Sequence, residues 1–125
     1  VVLHASSSAR DTDFIVKLMD VHPSGFVHQV SYGIVRARYR ESLTEHKLLT
    51  PGKVYKYTIQ MLPTANLFKP GHRIRLDMMS SDFPNFDRNH NTGGDDYAES
   101  TFLVAKQKVF YGEGADSRVQ LPVVG

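Results

Sequence analysis

Six histidines, at positions 4, 22, 28, 46, 72 and 90, and numerous serines and aspartates supply the residue types for hydrolysis or metal binding. A Ser-His-Asp hydrolase needs its nucleophile on a sharp strand-to-helix turn, usually written GxSxG. No such elbow occurs, so no catalytic residue is assigned within this chain. Zinc sites on strands and helices are often announced by HxH or HExxH, and neither spacing is present. The histidines are therefore read as surface or core residues. Asp87, Asn89 and Asn91 do stand at the first, third and fifth positions of an EF-hand-like loop. Thr92 and Ala98 then occupy the sixth and twelfth positions, where glycine and glutamate are required. No metal and no cofactor is assigned.

Two other constellations are better suited to recognition. SSDFPNFDRNHNTGG, Ser80 to Gly94, is polar, turn-rich and aromatic directly after a strand-like run. Loops of that composition commonly carry binding residues. Phe83 and Phe86 read either as anchors that tuck the loop onto its own domain or as exposed contacts for a partner. Asp87 next to Arg88 would most simply pin the loop to its own turns by hydrogen bonds, and Asp87, Arg88 and Asn89 are also candidates for interdomain or ligand contact. Upstream, Arg36, Arg38 and Arg40 alternate with Ala37 and Tyr39. On a strand they form a stripe roughly 13 Å long at ~3.3 Å per residue. Such a stripe either protects an edge strand from aggregation, with Glu41 and Glu45 as neighbours, or meets acidic groups on another domain. Nucleic acid is the weakest reading, because no stacking aromatics interleave.

The elements that must position these residues are strands. Over Val54 to Leu62, Tyr55, Tyr57, Ile59 and Met61 share one face while Lys56, Thr58 and Gln60 share the other. His72, Ile74, Leu76 and Met78 alternate in the same way with Arg73, Arg75 and Asp77. Phe14 to Val21 is apolar on both faces apart from Lys17 and Asp20, which predicts a strand covered on two sides. Val1 to Ser6, Val30 to Tyr39, Phe102 to Phe110 and Arg118 to Val123 bring the expected number to about seven. Pro23 with Gly25 suits a type I turn, and Pro51-Gly52 and Pro70-Gly71 suit type II turns. No helical period is sustained. The expectation is an all-β fold, a jelly-roll β-sandwich formed by one domain over residues 1–125.

Composition narrows the partners. Lys plus Arg number 15 against 13 Asp plus Glu, a net charge of +2 that is too small a field to hold polyphosphate. No nucleic acid partner is expected. No run approaches the ~18 apolar residues of a membrane-spanning helix, and no membrane partner is expected either. Without cysteine there is no disulfide or thiolate site, and the compartment stays open. The chain opens on VVLHAS, already strand-like, which leads us to expect a piece of something longer.

DTDFIVKLMDVHPSG (Asp11 to Gly25), GIVRARYRES (Gly33 to Ser42), PGKVYKYTIQMLPTANLF (Pro51 to Phe68) and PGHRIRLDMMSSDFPNFDRNHNTGG (Pro70 to Gly94) together resemble the C-terminal domain of the CocE/NonD hydrolases. X-Pro dipeptidyl-peptidases share this domain. The resemblance implies a galactose-binding-like jelly roll, here truncated at its N-terminus, joined to an α/β-hydrolase catalytic domain of the same parent chain. That catalytic domain supplies the triad. By the same resemblance the jelly roll packs on it and helps to enclose the site; from their aromatic and Arg content, and not from the resemblance, we expect Ser81 to Asn91 and Gly33 to Arg40 to form the interdomain contact. A homo-oligomer is a further option. The rival readings are a stand-alone module that binds carbohydrate or another ligand through its end loops, and an oligomerisation domain.

Overall fold

Alternating burial follows the alternating sequence where strands pair. The computed structural model describes all residues, Val1–Gly125. It contains six strands: β1 (Val2–Ser7), β2 (Asp13–Val21), β3 (Val27–Arg36), β4 (Tyr55–Thr58), β5 (Arg73–Met79) and β6 (Gln107–Phe110). They form two three-stranded antiparallel sheets, ordered β4-β1-β6 and β3-β2-β5. This is the expected all-β sandwich. The central strands β1 and β2 are the most buried, and β2 is covered on both faces as its composition predicts.

The core lies between the sheets. Leu3 and Ala5 of β1 and Phe14 and Val16 of β2 meet Tyr57, Ile59, Ala37 and Leu49 there. Phe14 and Tyr57 pack with ring centroids 4.8 Å apart. Burial without a hydrogen-bond partner pushes the Tyr57 phenol up to about 12. All three turns take the expected form. Gly25 N–H donates to His22 O at 2.9 Å with Gly25 at φ 89°, closing the β2–β3 hairpin. Lys53 N–H reaches Thr50 O and His72 N–H reaches Lys69 O, with Gly52 and Gly71 at φ 81° and 84°. Those positive angles are the ones that glycine accepts without a steric penalty.

Several strands are shorter than their periodicity suggests. Beyond Thr58 the chain changes sheets: Ile59 exchanges hydrogen bonds with Val1, and Leu62 N–H then donates to Tyr32 O of β3. Phe102 to Ala105 joins neither sheet and braces a loop instead, with Leu103 N–H donating to His90 O, and Lys106 meets Ser8 through backbone and hydroxyl bonds just before β6. Of Arg118 to Val123, only Arg118 bridges to Val2. On β5, Leu76 packs against the core while Ile74 and Met78 stay largely exposed, so one flank of the sandwich is open.

The crossing of residues 59–62 explains a glycine. A Cβ on Gly33 would sit 2.5 Å from Gln60 O and 3.1 Å from Ile59 Cγ2. Because one of those atoms is backbone, Gly33→Ala is expected to cost about 1–3 kcal/mol through overpacking. Urea denaturation of the purified protein measures this, and an unchanged midpoint would contradict the close approach.

Candidate functional site

The predicted arginine stripe does not form. β3 ends at Arg36, and Ala37–Tyr39 turns as a 3-10 helix. The physical cause lies on the facing strand, where Asp13 and Arg36 are direct cross-strand partners. Arg36 grips Asp13 with two bonds, Nε to Oδ1 at 2.9 Å and Nη2 to Oδ2 at 3.0 Å. The 3-10 turn then swings Arg38 over Asp11. Arg38 donates its backbone N–H to Asp11 Oδ1 at 2.9 Å and its Nε to Oδ2 at 2.6 Å. Arg40 diverges, resting 4.4 Å over the Tyr55 ring and donating to the Ala37 and Lys47 carbonyls.

Asp11, Thr12 and Asp13 are essentially sealed from solvent. Two buried carboxylates side by side require compensation beyond the guanidiniums, since removing charge from water is costly. Asn89 provides it. Its Nδ2 donates to Asp11 Oδ2 at 2.8 Å and to Asp13 Oδ1 at 2.9 Å, while its Oδ1 accepts from Asn91 N–H. Asn89 and Asn91 are thus held in hydrogen bonds to the protein, with Asn91 Nδ2 on Leu103 O. Asp96 closes the outer side, accepting from Arg36 Nη1 at 3.0 Å and from His90 N–H at 3.2 Å. The hydrogen bonds to Asp13 raise the Arg36 guanidinium further above its ordinary value.

The loop is pinned by Asp82 and Asn89, rather than by the Asp87 and Arg88 side chains as the sequence suggests. Asp82 O accepts from the N–H groups of Asn85 and Phe86, and Asp82 Oδ1 accepts from Lys17 Nζ at 2.7 Å. That Lys17 bond holds the Asp82 carboxyl below its ordinary range. The tether is therefore present at neutral pH and is lost as pH falls through the lowered value. Asp87 contributes only its backbone carbonyl, to Arg36, and Arg88 lies 4.2 Å over the Phe102 ring. The two phenylalanines divide between the two readings. Phe86 packs edge-on to Tyr32 on the outer face of β3, and Phe83 is 67% exposed.

Above this ion-paired base opens a groove of about 410 Å³. The half-buried Arg36 and Asp96 line it together with the more exposed Phe83, Arg88, Tyr97 and Phe102. Asp87 borders the same space, and Tyr97 is 91% exposed. His90 stacks on Phe102 at 4.1 Å between centroids. Aromatic walls with two guanidiniums, Arg36 and Arg88, and two carboxylates, Asp87 and Asp96, at hand suit the binding of a surface or ligand. Four residues expected from sequence, Arg36, Phe83, Asp87 and Arg88, converge here. Arg38 and Asn89 lie behind in the buried network, while Arg40 and Phe86 lie elsewhere.

Asp11, Asp13, Asp96, Tyr97 and Phe102 escape the sequence reading. One signal could have found the first two: Asp11 and Asp13 repeat, as DxD, the spacing of Arg36 and Arg38 as RxR. Matched period-two charges of opposite sign on neighbouring strands are a cross-strand pairing pattern.

Residues 1–120 match the family described as X-Pro dipeptidyl-peptidase C-terminal non-catalytic domain. The chain is 44% identical over 124 residues to cocaine esterase of Rhodococcus sp. (strain MB1 Bresler), a match covering 98% of this chain and 22% of that protein. Among solved structures, an α-amino acid ester hydrolase aligns with a TM-score of 0.82 and 39% identity over 89% of this chain and 20% of its own. An aminopeptidase from the marine sediment archaeon Thaumarchaeota archaeon aligns at 0.79 and 35% identity, covering 87% and 20%. The chain thus spans about a fifth of the length of these relatives. Fold, motifs and identity agree, and the chain belongs to the family of X-Pro dipeptidyl-peptidase C-terminal non-catalytic domains.

Proposed function

We propose that this domain packs through the Phe83–Tyr97 groove on an α/β-hydrolase catalytic domain of the same polypeptide and helps to shape its active site. The reaction housed there is hydrolysis of an ester or an amide, in line with relatives named cocaine esterase, α-amino acid ester hydrolase and aminopeptidase. The observation that carries the reading is surface area. The domain exposes 8345 Å², against about 6,700 Å² for a self-contained globular chain of 14.1 kDa. The excess of roughly 1,600 Å² is ample for one side of a stable interface. Exposed Phe83, Tyr97 and Phe102, and the open flank of β5 at Ile74 and Met78, are where apolar surface awaits cover. The buried ion pairs beneath the groove make it rigid, so little ordering entropy opposes docking.

Phe83→Arg and Tyr97→Asp in the full natural polypeptide test this. Both side chains are exposed within the domain, so its own fold is not at stake. Each substitution is expected to cost about 1–4 kcal/mol of stability or domain coupling, read as a lowered denaturation midpoint with a raised KM for an ester substrate. Unchanged melting and kinetics in both variants would remove the groove from the interface. Glycan binding at the groove, with hydrolysis unaffected, would favour the carbohydrate-binding alternative.

A further inference from the structure

Asp20 lies on β2 and His22 directly follows its last residue, two positions on along the same extended run, so the two project from the same face. β5 pairs with β2 in a register whose last partners are Val21 and Arg73. One step further, that register sets His22 opposite His72. Two turns enforce the juxtaposition: Pro23 opens the β2–β3 hairpin, Pro70-Gly71 delivers His72, and a Cβ on Gly71 would touch Pro23 Cγ at 3.3 Å. The imidazoles lie 4.2 Å apart between centroids, tilted by 39°. His72 Nδ1 is 2.8 Å from Asp20 Oδ1, and His22 Nε2 is 3.9 Å from Asp20 Oδ2. One ligand atom from each residue falls within 4.8 Å of the other two.

We propose that Asp20, His22 and His72 form a binding site for a divalent transition metal ion, Zn²⁺ by the chemistry of its donors. Ligands about 2.0–2.1 Å from a tetrahedral zinc are separated by roughly 3.4 Å, and the distances to the Asp20 carboxylate straddle that value. The ligand atoms lie within 4.8 Å of one another, and side-chain rotation at His22, the most exposed of the three, would close the triangle. Two imidazoles and one carboxylate suit zinc, whereas calcium and magnesium require a cage richer in oxygen. Asn66 Nδ2 donates to Asp20 Oδ2 at 3.3 Å and orients the carboxylate from outside the triangle. His72 and Asp20 are nearly buried, and the His22 side chain is 35% exposed. An ion therefore enters from the His22 side and keeps a fourth position for water. Bound metal would clip the β2–β3 turn to the turn that launches β5.

The test is calorimetric titration of ZnCl₂ into the full natural polypeptide after chelator stripping. One equivalent bound at this site and a raised melting temperature are expected, with Co²⁺ giving the visible absorption of a four-coordinate complex. His22→Gln should lower the affinity roughly 100-fold while leaving the metal-free melting temperature unchanged, since that side chain is the most exposed of the three. His72→Gln provides a second variant with the same expected loss. His46→Gln, at an exposed histidine away from the cluster, should change nothing. Zinc binding no tighter than millimolar, or equal in the parent and in both His22→Gln and His72→Gln, would overturn the proposal.

Discussion

Arg38→Met is expected to destabilise the protein by about 3–5 kcal/mol. Methionine preserves the aliphatic volume of the stem, so the loss reports the guanidinium and not the packing. Asp11, fully buried, would retain its bonds from the Arg38 backbone N–H and Asn89 but lose the 2.6 Å contact from Nε. The cost is that of a buried carboxylate left without its cation, which exceeds the net worth of the ion pair itself. A control separates the two quantities. Adding Asp11→Asn removes the orphaned charge, and the double variant should recover part of the stability, giving a coupling that chemical denaturation can measure. Independent, additive losses would show that Asp11 and Arg38 do not act as a unit. Against a total stability of about 5–15 kcal/mol for a domain, the single change leaves a marginal fold.

The second large effect is expected at Asn89, and its diagnostic is an ordering. Asn89→Asp is nearly isosteric yet turns a nitrogen that donates to two carboxylates into a third anion 2.8–2.9 Å from both. The expected cost is about 3–5 kcal/mol. Asn89→Ala removes the donor without adding charge, and about 1–3 kcal/mol is expected. The smaller change in shape should thus be the more damaging one. Because Asn89 anchors the stretch from Ser80 to Gly94 to Asp11 and Asp13, the aspartate variant should also become sensitive to limited proteolysis in that loop. If alanine proves worse than aspartate, the network is held by packing and not by charge compensation.

These expectations concern residues whose types were conspicuous in the chain but whose partners were not. Arg36 and Arg38 stood out by spacing, yet a stripe on one strand face was the natural local reading. It failed because Asp13 holds Arg36 at the last rung of the ladder and Asp11 draws the next arginine back through a 3-10 turn. The same holds for Asp20, His22 and His72. Their separation along the chain excludes any familiar histidine motif, and only the antiparallel register of β2 with β5 makes them neighbours. The loop was legible as a recognition element from its composition, but which of Phe83 and Phe86 stays outside depended on the position of Tyr32 beneath it.

From sequence alone came what depends on short-range geometry. Alternating side chains place Tyr57 and Ile59 inside and Lys56 and Thr58 outside, and Pro-Gly pairs reverse the chain, because both effects act within a few residues. The likeness to a family came the same way, from motifs read along the chain. Tertiary structure decided which charges meet, which aromatic faces water and which histidines share an aspartate. Those outcomes depend on strand register and on segments that cross between sheets, and contacts between residues fifty or more positions apart are set by the packing of the whole domain.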